Sequence, residues 1–188
     1  CHQIENRGGQ LVNTISAPEY APPNLNSEGR KAQPDWLLSF FNNPSIIRPN
    51  LQVRMPSFHQ IPDKEWNTII RYFQYIDSEK ISYRGEFAFD NNSIEYHAGE
   101  KLHELGACNN CHFYGETFPT QEASTWAPNL AMMKERLNPE WVKEFLRDPQ
   151  AIMPGTKMPA PYLPDKDILA MDGAENDWGK ELVKLGGD

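Results

Sequence analysis

A chain of 188 residues with 39% hydrophobic and 23% charged residues has room for one or two globular domains, and its make-up excludes a disordered chain. A formal net charge of −8 excludes nucleic acid as a main partner, because phosphate binding needs a basic patch. No apolar run approaches the ~20 residues of a membrane span, no signal peptide is visible, and three cysteines do not make a disulfide framework. The sixteen prolines and twelve glycines point to much loop and turn.

The chain opens on Cys1-His2, and Gly8-Gly9 then permit a close backbone turn. Residues 14–33 have no clear period and read as loop. Pro34 starts a helix at its first position, where the missing N–H costs nothing. Trp36, Leu37, Phe40 and Phe41 give that helix one apolar face, and Pro44 ends it. A second loop over 45–62 carries Arg54-Met55-Pro56, where Pro56 holds the backbone extended behind the thioether. Asp63 to Asp77 gives the clearest helical period, with Trp66, Ile69, Ile70, Phe73 and Ile76 in register. Residues 78–93 are polar and mixed and mark a join, with a small hairpin expected over 81–89. Ile94 to Gly106 is the next helix, capped by Ser93 and turning Ala98, Leu102 and Leu105 inward. His97 and His103 lie six apart, off any one helical face, and read as exposed histidines.

That helix leads into Cys108-Asn109-Asn110-Cys111-His112. Two thiols three positions apart can each add to one vinyl group of a haem, and the adjacent His112 then presents its imidazole to the iron. The cysteine pair alone also fits half a zinc site or a dithiol redox centre. A zinc site needs a second pair of ligands, for which Cys1, His97 and His103 are the candidates. A thioredoxin-like centre needs a strand before the first cysteine, where this chain has a helix. With the histidine directly following, the c-type haem reading is preferred. A sixth iron ligand is offered by Lys157-Met158-Pro159, and Met153-Pro154 offers a second thioether. His59 reads as a surface histidine or one touching a haem propionate.

The chain repeats itself. The first copy runs Ala21-Pro22-Pro23-Asn24-Leu25, Pro34-Asp35-Trp36, Asn43-Pro44, Arg54-Met55-Pro56 and Pro62-Asp63-Lys64. The second runs Ala127-Pro128-Asn129-Leu130, Pro139-Glu140-Trp141, Asp148-Pro149, Lys157-Met158-Pro159 and Pro164-Asp165-Lys166. Two related domains in tandem follow, over 1–77 and 94–188, joined by 78–93. The repeat selects Met158 over Met153, which becomes a packing side chain. It pairs Met158 with Met55, and Cys111-His112 with Cys1-His2. The first copy thus reads as a haem motif without its first cysteine. An N-terminal cysteine is also where a processed lipoprotein carries its lipid, and the mass of the N-terminal peptide separates the two. In the second copy Asn138 caps a helix that Pro139 opens and Pro149 stops, with Trp141 and Phe145 turned to the haem. Helices are expected from Asp165 to Met171 and, after Asp172-Gly173, from Asp177 to Leu185.

Together the C-x-x-C-H, A-P-N-L, W-x-x-x-F, K/R-M-P and P-D-K segments resemble the class I cytochrome c family, twice over nearly the whole chain. The resemblance implies an all-α fold of short helices and long loops around covalently bound haem c, one per domain. It implies thioethers at Cys108, Cys111 and Cys1, proximal ligands His112 and His2, and distal ligands Met158 and Met55. The departures are the absent first cysteine of copy one, the interrupted end of copy two, and a loop after His112 five residues shorter than its counterpart. The expected function is a dihaem electron carrier rather than an enzyme, with no small-molecule substrate at iron. Its partners would be redox proteins, or other subunits of a respiratory or photosynthetic membrane complex. Attachment of haem c implies a periplasmic or extracytoplasmic place, with any leader or anchor outside these residues. A dihaem peroxidase needs an open iron with acid–base residues above it, and no such constellation stands out beside the two methionines. A gas-sensing or docking module is the remaining rival. Each unit of ~80–100 residues has few aliphatic core residues and is marginal without its porphyrin.

Overall fold

The computed structural model describes residues 1–160 except 6, 16–19, 49–52, 78–89, 118–121 and 123–124. The described chain is mainly helical. The hairpin expected over 81–89 and the helices expected over 165–171 and 177–185 lie outside the described residues. By contacts the chain forms two compact units, one of Cys1–Ser82 with His112–Ala160, the other of Tyr83–Cys111 with Pro161–Asp188.

In the first unit a two-residue ribbon comes first, β1 (Gln3–Ile4) antiparallel to β2 (Arg7–Gly8). It follows from the glycine pair. Gly8 and Gly9 take φ of +79° and +73°, and the Gly9 N–H donates to the His2 carbonyl at 2.9 Å. A Cβ on Gly8 would stand 2.8 Å from that carbonyl oxygen, so the turn is a glycine turn on steric grounds as well.

Three helices of the first repeat follow: α1 (Glu28–Lys31), α2 (Pro34–Asn42) and α3 (Asp63–Ile76). Pro34 opens α2 and the helix stops before Pro44, as the sequence implies. The period in α3 buries Trp66, Ile70 and Phe73, with Ile69 and Ile76 at the margin. These close a core with Ala32, Leu37 and Phe41, and the Phe41 and Trp66 rings stack with centroids 4.6 Å apart.

The second repeat supplies α5 (Met133–Arg136), α6 (Pro139–Arg147) and α7 (Pro149–Ile152). The Asn138 side chain accepts the Glu140 N–H at 3.2 Å, and Pro139 takes the first turn of α6. Pro149 ends α6, as expected, and also begins α7, because Asp148 accepts the Ala151 N–H at 3.1 Å and proline is welcome at a first position. The helices of the two copies meet crosswise, α1 against α6 and α2 against α5. Ala32 forms an antiparallel bridge with Leu137, the Gln33 N–H donates to the Arg136 carbonyl, and the Asn138 N–H donates to the Lys31 carbonyl, both at 2.8 Å. Residue for residue, the two copies meet at the same place in their own repeat.

In the second unit the described part is α4 (Ile94–Leu105) and the turn that follows. Ser93 caps α4 by accepting the Tyr96 N–H at 3.1 Å, and Ala98 is buried. Leu105, expected to point inward, is 48% exposed. It is the last helical residue, and the chain leaves the helical course at Ala107, whose φ is +50°. No described helix is long and apolar enough to cross a membrane.

Candidate functional site

The left-handed Ala107 redirects the chain out of α4 into a 3-10 turn over Cys108–Asn110. The Asn110 N–H donates to Ala107 at 3.0 Å and the Cys111 N–H donates to Cys108 at 3.2 Å. The two thiols stand three positions apart, one at the start of that turn and the other just past its end. Both are free thiols; Cys108 is half-buried and Cys111 exposed. Burial, helped by neighbouring Cys111, raises the Cys108 pKa above the ordinary thiol value. A dithiol redox centre needs the opposite, a thiol pushed toward thiolate.

His112 is held from behind. Its Nδ1–H donates to the Pro128 carbonyl at 2.8 Å. A carbonyl can only accept, so this contact puts the proton on Nδ1 and leaves Nε2 as the unprotonated nitrogen. His2 is held the same way, its Nδ1–H donating to the Pro23 carbonyl at 2.8 Å. The cradle is reproduced around both. The residue after each histidine accepts an N–H at 2.9 Å, Gln3 from Leu25 and Phe113 from Leu130. Asn24 and Asn129 each take the N–H two residues on, at 2.8 and 3.0 Å. The loop from histidine to proline spans 21 residues in one copy and 16 in the other, yet the bond that closes it is the same. In the shorter loop Asn129 also bonds Gly115 in both directions, at 3.0 and 3.2 Å.

The methionines stand on separate segments. Met55 is half-buried and packs against the core of α2 and α3. Met158 is half-buried, and its segment is tied to α7 by the Gln150 side-chain amide, which donates to the Thr156 carbonyl and, at 3.4 Å, to that of Met158. The Met158 N–H donates to Thr156 Oγ1 at 3.3 Å. His59 is exposed, as is His97, which faces Glu100 at 3.3 Å. His103 departs from expectation: it is half-buried, and its Nε2 is buried without a hydrogen-bond partner among the described residues.

Three more buried donors lack partners among the described residues: Trp66 Nε1, Trp141 Nε1 and Arg136 Nε. Arg136 and its counterpart Lys31 stand at one offset from the Pro-x-Trp helix, a pairing that shows in the sequence only when the repeat is extended to the residues before that helix. Two imidazoles tied down at Nδ1, thioethers on separate loops and thiols beside an imidazole fit haem c as a donor set. Among the described residues no group of three or more His, Cys, Asp or Glu is placed to hold a bare metal ion.

No family model matches the chain, and no solved structure matches it. It is similar to cytochrome c oxidase subunit 2 of Bacillus subtilis (strain 168), 39% identical over 83 residues, which covers 39% of this chain and 23% of that protein. The chain thus spans less than a quarter of the length of the relative it matches.

Proposed function

We propose that the chain is a dihaem c-type electron carrier, working as a subunit or domain of a larger respiratory assembly. The observation that carries this reading is the doubled histidine cradle, with His2 and His112 each donating Nδ1–H to a proline carbonyl directly after a cysteine. Histidines that only pack or face solvent have no need of the same second bond, at the same length, across loops of different size. A bound haem supplies a one-electron couple. The chain's own residues hold it: Cys108 and Cys111 by thioether in the second repeat, and Cys1 in the first. His112 and His2 would each offer the iron a nitrogen, oriented by their prolines. Met158 and Met55 would each offer a thioether, a ligand that favours the reduced state. The matched relative is a cytochrome c oxidase subunit, which supports electron transfer in a respiratory setting. Redox proteins are then the partners, and an extracytoplasmic location follows from where haem c is attached.

The test is expression with haem-maturation machinery, followed by intact mass and visible spectra with and without carbon monoxide. Two covalent haems per chain and a reduced spectrum that carbon monoxide leaves unchanged are expected. Colourless protein, or zinc recovered with Cys108 and Cys111, overturns the reading. A carbon monoxide shift at native pH overturns methionine closure and moves the protein to gas binding.

A further inference from the structure

Within the first unit the two repeats meet at more than one place. One is the seam at the Ala32–Leu137 bridge, where two cations cross: Lys31 Nζ lies 5.8 Å from the ring centroid of Trp141, and Arg136 Cζ lies 5.2 Å from that of Trp36. Another lies directly beside a candidate iron ligand. Lys157, the neighbour of Met158 in the second repeat, holds its Nζ 5.0 Å from the ring centroid of Tyr20 in the first. Tyr20 begins the Tyr20-Ala21-Pro22-Pro23 run, whose last carbonyl accepts the His2 Nδ1–H.

The two methionines are held by different means. Met55 packs against the core of α2 and α3, so closing that core places its thioether. Among the described residues Met158 is not part of that core. It stands on a short excursion after α7. The Thr156 N–H donates to the Met153 carbonyl at 3.1 Å and closes a turn over Pro154 and Gly155. Gly155 takes φ of +85°, as the third position of a type II turn requires. The turn and the bond from Gln150 to the Thr156 carbonyl fix where the segment starts. Past Thr156 the bonds are long, 3.3 Å from the Met158 N–H to Thr156 Oγ1 and 3.4 Å from Gln150 to the Met158 carbonyl. The Lys157 contact with Tyr20 acts where those bonds are weakest, and its aromatic half comes from the other repeat.

We infer that Tyr20 is a positioning residue supplied by the first repeat, which holds the Lys157-Met158 segment and so fixes the methionine end of the haem site in the second. The inference rests on the haem reading above. Tyr20 acts through Lys157 and not on the iron. The contact exists only while the segment is in place, so it adds to the cost of lifting the thioether away. At an exposed site a cation over a ring shifts such an equilibrium by a factor of about two to five.

The test is a titration of the oxidised full chain, carrying both haems, with imidazole, followed in the visible spectrum. Imidazole competes with a thioether for ferric iron, so its apparent affinity reports how readily each methionine lifts. Met55→Ala and Met158→Ala, each of which frees one iron, assign the two affinities beforehand. Tyr20→Leu is expected to raise the affinity at the Met158 haem about two- to five-fold and to leave the Met55 haem unchanged. Tyr20→Phe, which keeps the ring, should match the parent, as should Lys157→Arg, which keeps the cation. Lys157→Gln should match Tyr20→Leu, and the double variant should exceed neither, since both remove one contact. Lys157 is exposed, so Lys157→Gln and Lys157→Arg carry the test should Tyr20→Leu not fold. Unchanged affinities in coloured, folded variants overturn the inference, as does a shift at the Met55 haem or a pair of effects that add. Failure of the haem reading shows earlier and separately, as a parent without covalent haem or one whose affinities neither alanine variant moves.

Discussion

At Gly29 the backbone of α1 comes so close to the end of α3 that a methyl group would overlap the Phe73 carbonyl and stand 2.6 Å from the Gln74 amide nitrogen. The atoms it would meet are main chain inside a helix, which cannot step aside as a side-chain tip can. The approach is fixed from the other end by Asp77, whose carboxylate accepts the N–H groups of Gly29 at 2.7 Å and Arg30 at 3.2 Å. Burial raises the Asp77 pKa even though those two bonds pull it down. Gly29→Ala is therefore expected to destabilise the protein by about 1–3 kcal/mol, the range for overpacking a closed contact. A lower denaturant midpoint with an unchanged slope would show it. A variant as stable as the parent would mean that α1 and α3 are free to part.

The helices that could be read from the sequence are those with both a period and punctuation. Asp63 to Asp77 has five apolar residues in step, and α2, α4 and α6 each have a proline or a capping side chain where the period begins. What could not be read has no hydrophobic period to announce it. The β1–β2 ribbon needs the Gly8-Gly9 turn to close on the His2 carbonyl, α7 begins at the residue that reads as the stop of α6, and the Ala32–Leu137 bridge joins positions far apart in the chain. The caps can be weighed directly. Asn138 caps α6 with its side chain, whereas Gln33, at the matching place before α2, makes no such bond and instead donates to the Leu137 carbonyl at 3.2 Å. Asn138→Ala should cost about 1 kcal/mol, as N-cap removals do. Gln33→Ala should cost less, because it frees no helix N–H. A melting comparison of the two variants checks the order, and equal losses would place the stabilisation in the seam rather than in the cap.

For the molecule as a whole, the candidate site was legible in the sequence to the extent that it is local. Cys108, Cys111 and His112 stand together in the chain, and the repeat pointed to Cys1, His2, Met55 and Met158. The prolines that orient the histidines stand in the sequence only as repeat markers, since nothing in their spacing says that a carbonyl will face an imidazole. The seam cations were missed because their partners lie on the opposite repeat. These same features bear on how the chain folds. Trp66 Nε1, Trp141 Nε1 and Arg136 Nε are buried donors without partners among the described residues, and each such group costs about 1–3 kcal/mol. Against the ~5–15 kcal/mol that holds a typical domain together, that is a large share, and the core around α2 and α3 is small. A covalently held porphyrin would bring both apolar surface and acceptors to these groups. Protein made without haem maturation, or as the double variant Cys108→Ser with Cys111→Ser, is therefore expected to lose much of its far-ultraviolet helical signal and to melt without a sharp transition. The mature protein should keep both. A haemless chain with full helicity and a cooperative melt would show that the helices stand on their own packing, and the proposed role of the cofactor in the fold would fall with it.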